Sequence, residues 1–128
     1  MKFSKMSALL GLCALMTAAQ AGEIRPFNQN DFDTLTHNGK AVVLDVSAPW
    51  CPTCKAQKPI VDGLMKQSAY KDVTLMTLDF DSAKATLRQF NVNMQSTLVA
   101  FKGDKEVGRS VGDTTSQGLE ALFKKTLR

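Results

Sequence analysis

Residues 41–55 read AVVLDVSAPWCPTCK, and the rest of the chain is interpreted outward from this stretch. Residues 41–46 form a nearly continuous apolar run rich in valine, which is typical of a strand that is covered on both faces. From Cys51 onward, apolar residues between positions 60 and 65 recur at helical spacing instead. We therefore expect a buried strand, a short loop and a helix from Cys51 to about Ala69, with Cys51 and Cys54 at the start of that helix.

Further elements alternate on both sides of this stretch. Upstream, residues 28–38 carry Phe32 and Leu35 at helical spacing and predict a short helix. Downstream, the pattern predicts a strand over 73–80, a helix over 82–90, a hairpin of strands over 97–101 and 106–110, and a final helix over 114–127 that Thr114 and Gln117 would cap. This order predicts an α/β fold in which helices cover a sheet.

The first 21 residues have the pattern of a secretory signal. Lys2 and Lys5 give a basic start, residues 8–18 are uncharged, and Ala19-Gln20-Ala21 has the small-x-small form of a cleavage site. A retained membrane anchor is the alternative, but the uncharged run is shorter than the roughly 20 residues that a spanning helix needs. We expect residues 1–21, including Cys13, to be removed and residues 22–128 to form one domain.

Composition excludes several kinds of partner and cofactor. Loss of the two lysines lowers an already small formal charge of +4, so we expect no nucleic-acid partner. No nucleotide or flavin fingerprint is present, and two cysteines with the distant His37 are too few ligands for a zinc site. His37 itself is expected to have a surface or helix-capping role. We predict no bound cofactor and no metal, and nothing in the sequence indicates an oligomer, so a monomer is expected.

The remaining pair, Cys51 and Cys54, is predicted to be chemically reactive. A disulfide between them closes too small a loop to stabilise a fold strongly, and an exported protein meets conditions in which disulfides form. At a helix start, free backbone amides and the helix dipole favour a thiolate and lower the pKa of the first cysteine. Cys51 is therefore the predicted nucleophile, and Cys54 is the predicted resolving thiol and the less exposed of the two.

The motif Trp50-Cys51-Pro52-Thr53-Cys54-Lys55 and its surroundings resemble the thioredoxin superfamily over nearly the whole of residues 22–128. Asp45, six residues before Cys51, matches the family's buried acid, and Pro59, five after Cys54, matches its helix proline. The resemblance implies a thioredoxin fold with a central mixed sheet, and a role for Asp45 as proton acceptor for Cys54. The alternative for Asp45 is a partly solvated aspartate at a strand end.

The same resemblance indicates which residues contact a substrate. Trp50, Pro52 and Thr53 surround the cysteines, although Trp50 could instead be a core aromatic. In that family, a cis-proline just before a late strand faces the cysteines. This chain has Ser96 at that position, between Gln95 and Thr97. Three arrangements are open: a strained cis Gln95–Ser96 bond, a trans loop with altered substrate selection, or a hydroxyl that contacts the thiols.

An exported protein of this type could reduce, oxidise or shuffle disulfides. Pro52-Thr53 is similar to the dipeptide of thioredoxin-like reductants in cytochrome c maturation, and the chain lacks the inserted helical domain of DsbA-type oxidants. The region around Asp45 to Lys55 also resembles the carboxy-terminal domain of DsbD-type proteins. We therefore predict a periplasmic thiol-disulfide oxidoreductase that takes electrons from a DsbD/CcdA-type membrane donor and reduces disulfide-bonded proteins. A disulfide-forming oxidant and a non-catalytic binding module are the alternatives.

Overall fold

The computed structural model describes residues 14–15 and 20–128. Apart from residues 14–15 and 20–21, the predicted signal peptide lies outside the described residues, as does Cys13. Within the described part of the chain, no helix is long and apolar enough to cross a membrane. Immediately after the predicted cleavage point, the Gly22 amide donates to the Met65 carbonyl over 2.9 Å.

Five strands form one mixed sheet with the order β1-β3-β2-β4-β5. The strands are β1 (Glu23–Pro26), β2 (Ala41–Ser47), β3 (Val73–Asp79), β4 (Thr97–Lys102) and β5 (Lys105–Val111). β2 pairs parallel to β3 and antiparallel to β4, and β1 extends the parallel part of the sheet. The predicted strands are confirmed, and β1 is an additional edge strand that the sequence did not indicate.

Four helices join and cover these strands: α1 (Gln29–His37), α2 (Pro52–Met65), α3 (Lys84–Gln89) and α4 (Ser116–Lys124). α1 connects β1 to β2, and α2 connects β2 to its parallel neighbour β3. Parallel strands require crossover connections of this kind. α2 ends earlier than the expected limit near Ala69, and a short 3₁₀ turn over Ser68–Tyr70 follows it. The predicted α/β fold with a mixed central sheet flanked by helices is confirmed.

The predicted cap of the last helix is wrong by one residue. Thr115, not Thr114, is the N-cap, and its hydroxyl accepts a hydrogen bond from the Gly118 amide over 3.1 Å. The Asp113 carboxylate accepts the Thr115 amide and hydroxyl, and these two bonds hold Thr115 in the extended conformation of a cap.

Alternation along β2 divides the core into two layers. Val42, Leu44 and Val46 face α1 and α3, where Phe32 packs edge-on against Phe101. The other side of the strand faces α2 and α4 and includes the apolar residues Ala41, Val43, Val61, Leu64, Met65, Leu119, Leu122 and Phe123. Since Asp45 has the same parity as Ala41 and Val43, the strand directs its carboxyl toward α2.

Candidate active site

Cys51 and Cys54 form a disulfide at the first turn of α2. Cys51 is the N-cap, its backbone is extended with φ −86° and ψ 109°, and its sulfur accepts the Cys54 amide over 3.1 Å. Pro52 follows at the first helical position, where its missing amide proton costs nothing. A free amide and the positive end of a helix dipole favour a thiolate at such a position, which is the physical basis for expecting Cys51 to be the nucleophile of the reduced protein.

The expected difference in exposure between the two cysteines is wrong for this disulfide form. Cys51 is 1 % exposed and Cys54 is 8 % exposed. Both side chains pack with Ala48, against the partly buried ring of Phe80. The Cys51 sulfur is turned inward onto the first turn of the helix, and only the fold around that turn could show this.

Asp45 is half-buried and has a perturbed carboxyl. Desolvation raises its pKa from 3.8 to about 6, the negative charge of Asp62 adds to this increase, and the positive charge of Lys58 opposes it. A carboxylate with such a pKa exchanges protons near neutral pH, as a general base for a thiol requires.

One cavity of about 460 Å³ connects this carboxyl with the disulfide. Its walls include Asp45, Cys54, Lys55, Lys58, Asp62 and Asp79. Cys54, Lys58 and Asp62 are spaced four residues apart, which places them on one face of α2. Lys58 donates to Asp62 over 2.8 Å, and this pairing raises the Lys58 pKa.

The sequence interpretation missed Lys58 and Asp62. Their four-residue spacing from Cys54 could have indicated that they share its face of α2. That face could be recognised as part of the site only once Asp45 was known to face α2. Asp45 and Cys54, in contrast, were both predicted as site residues, and the structure brings them to the same cavity.

Trp50 lies at the surface beside the cysteines. It is 55 % exposed, so the alternative of a core aromatic is wrong, and its indole nitrogen donates to Asp81 over 2.8 Å. Pro52 is exposed and Thr53 is half-buried. All three residues, which neighbour the cysteines in the sequence, therefore have accessible surface, and their contact with a substrate remains a prediction.

The loop before β4 has a trans backbone at the position where the resemblance predicts a cis-proline. No peptide bond between residues 20 and 128 is cis, and Ser96 has φ +55°, in the left-handed region. Its hydroxyl donates to the Gln95 carbonyl over 2.6 Å instead of bonding to a cysteine. Of the three arrangements considered, the structure therefore has the trans loop. Thr97, the next residue, is buried and donates to the Met94 carbonyl over 2.7 Å.

His37 and the remaining acidic groups form no metal centre in the part of the chain that the structure covers. There, no group of three or more His, Cys, Asp or Glu side chains is arranged to hold an ion. His37 ends α1 at the surface, 3.7 Å from the Asp104 carboxylate.

Comparison with known proteins identifies the family. Residues 23–125 match the family named Thioredoxin. The chain belongs to the thioredoxin family. Among curated thioredoxins, that of Chlamydia muridarum is 38% identical over 84 residues, which are 66% of this chain and 80% of the relative. The thioredoxin of Mycobacterium bovis is 36% identical over 93 residues, covering 73% of this chain and 76% of the relative.

A solved structure supports the same assignment. The crystal structure of Trxlp from Edwardsiella tarda is 36% identical, has a TM-score of 0.77, and covers 79% of this chain and 98% of its own. Together with the bonded Cys51–Cys54 pair at the start of α2, the thioredoxin relatives identify this protein as a thiol-disulfide oxidoreductase.

Proposed function

We propose that this thioredoxin-family protein is exported to the periplasm and acts there as a reductant of disulfide-bonded envelope proteins. The observation that carries the proposal is that Asp45, whose carboxyl has a pKa of about 6, lines the same cavity as the predicted resolving cysteine, Cys54. A reductant must deprotonate that second thiol after the first has attacked its substrate. Asp45 supplies an acceptor for this proton.

The reaction transfers two electrons from the cysteine pair to the substrate. The Cys51 thiolate attacks the substrate disulfide, forms a mixed disulfide and releases one substrate thiolate. Cys54 gives its proton to Asp45, and the resulting thiolate attacks the Cys51 sulfur. The second substrate thiolate leaves, and the Cys51–Cys54 disulfide remains. The cysteines are the redox group, so the cycle requires no further cofactor.

Return to the dithiol requires an electron donor outside the chain. The signal pattern of residues 1–21 supports export, and a DsbD/CcdA-type membrane thiol transporter is the class of donor that supplies electrons to that compartment. Trp50, Pro52, Thr53 and the loop over residues 95–97 would contact the protein substrate. We propose that the exported form acts as a monomer and binds no nucleic acid.

The reduction potential of the Cys51/Cys54 pair tests the direction of this reaction. The protein without residues 1–21 is equilibrated in glutathione or dithiothreitol buffers, and free thiols are trapped and counted. A potential near the thioredoxin value of about −270 mV supports a reductant. A value near the DsbA value of about −120 mV contradicts the proposal and identifies an oxidant.

A Cys51→Ser variant separates redox activity from simple docking. We expect this variant to lose disulfide reduction completely, because no nucleophile remains at the start of α2. Undiminished function of Cys51→Ser in cells would contradict the redox proposal and favour a binding module.

Export is tested separately by cell fractionation with a carboxy-terminal tag. The proposal expects a periplasmic protein that begins at Gly22 when its amino terminus is sequenced. A full-length protein in the cytoplasm would contradict it.

A further inference from the structure

Gln57 is a buried polar side chain that the disulfide chemistry described above does not use. It lies in α2, three residues after Cys54, and is only 2 % exposed. Its amide nitrogen donates to the Ser96 carbonyl over 3.2 Å and to the Asp113 carbonyl over 2.8 Å. Because a buried amide without partners is unfavourable, these bonds explain how the core accommodates it. One side chain thus joins α2 to the loop before β4 and to the loop after β5.

The Ser96 carbonyl is held from a second direction as well. The Gly112 amide, at the end of β5, donates to the same oxygen over 2.9 Å. Ser96 is one of two non-glycine residues with positive φ between residues 20 and 128. A side chain keeps this conformation only where its surroundings determine the backbone strongly. At Ser96, the two hydrogen bonds from Gln57 and Gly112 hold the backbone in this conformation.

The loop held in this way lies at the end of the sheet where β2 ends and β4 begins, which is also the end that leads to the disulfide. Thr97 pairs with Val46 near the end of β2, and Cys51 follows that strand after a short connection. Met94, at the outer side of the loop, is 52 % exposed. The loop therefore presents accessible surface near the cysteines, and Gln57 and Gly112 both donate hydrogen bonds to its Ser96 carbonyl.

We propose that Gln57 is a positioning residue for substrate recognition, which fixes the 94–96 loop in the conformation that accepts a protein disulfide. The inference rests on the proposed function, because it assumes that the substrate is a disulfide-bonded protein. A proline ring would hold φ near −65°, which differs from the conformation of Ser96. In this chain, hydrogen bonds from the helix that carries the cysteines set the loop geometry instead.

A Gln57→Met variant tests this role, since it removes both hydrogen-bond donors and keeps a side chain of similar length. Thr126→Val is the matched control, because the buried Thr126 hydroxyl also donates to a backbone carbonyl, that of Phe123, over 2.7 Å. Second-order rate constants are measured with prereduced protein for two disulfides, insulin and 5,5′-dithiobis(2-nitrobenzoate). Hydrogen exchange of the Gly112 amide reports on the loop directly.

We expect Gln57→Met to reduce insulin at least tenfold more slowly and the small disulfide within twofold of the unmodified rate. The Gly112 amide should exchange at least tenfold faster, while Thr126→Val should change neither the ratio of the two rates nor this exchange. Equal loss with both disulfides would overturn the proposal, because Gln57 would then act on the thiols. Unchanged insulin reduction would overturn it too.

The proposed function fails by a different observation. A reduction potential near the DsbA value would contradict the proposal that this protein is a reductant. The two rate constants of prereduced Gln57→Met protein would still report on how the loop recognises a protein disulfide.

Discussion

Replacing Asp45 with asparagine removes a carboxyl that the fold keeps partly away from water. The folded protein raises the pKa of this group from 3.8 to about 6, chiefly by desolvation. In the unfolded chain the carboxyl is hydrated and ionises at its ordinary pKa. The folded state therefore retains a proton over a pH range in which the unfolded state has lost it, so stability falls as pH rises through that range.

The magnitude follows from the two pKa values. Each pH unit between 3.8 and about 6 costs the folded state about 1.4 kcal/mol, which gives about 3 kcal/mol in total. Below pH 3.8 the group is neutral in both states and the penalty is absent. Above pH 6 both states are ionised and the penalty is complete. Asp45→Asn should thus have unchanged stability near pH 3 and be about 3 kcal/mol more stable at pH 7.

Urea unfolding of the oxidised protein from pH 3 to pH 8, without reductant, measures this difference. Asp72→Asn is the control, since it removes an exposed aspartate just before β3 and should show no comparable gain at pH 7. A difference between Asp45→Asn and unmodified protein that stays constant with pH would refute the reasoning. A difference that is largest below pH 4 would refute it as well.

Four further substitutions, at three positions, test the local geometry by urea unfolding. Ser96→Gly should stabilise the protein by about 0.5–1 kcal/mol, because glycine adopts positive φ freely. Ser96→Pro should destabilise it, because proline holds φ near −65°. Equal changes in stability for the two variants would contradict the left-handed conformation of residue 96. Gly22→Ala should destabilise the protein by about 1–3 kcal/mol, since a Cβ would lie 2.6 Å from the Tyr70 carbonyl oxygen. An unchanged urea midpoint would contradict this expectation and show that the contact relaxes. Arg109→Ala should cost about 1 kcal/mol by freeing the Phe90 and Asn91 carbonyls, which faster amide exchange in α3 would confirm.

Local pattern determined most of the fold. The valine-rich β2, the helical spacing after Cys51 and the late hairpin were all predicted, because each element buries a face whose period is visible in the sequence. β1 was not predicted. It has four residues that end in Pro26, and its hydrogen bonds come from β3, about 50 positions later in the chain. A short edge strand of this kind is stabilised by its partner rather than by its own pattern.

At the active site, the reacting groups and their neighbours were already visible in the sequence: two cysteines at a helix start, an aspartate in the preceding strand and a serine where the family has proline. The surroundings of these groups, in contrast, came from contacts between distant parts of the chain. Those contacts buried Cys51, brought Lys58 and Asp62 to the Asp45 cavity, and placed Gln57 against the Ser96 carbonyl. The physical reason is that desolvation, pKa and hydrogen-bond partners depend on groups far apart in sequence, whereas strand and helix periodicity depend only on near neighbours.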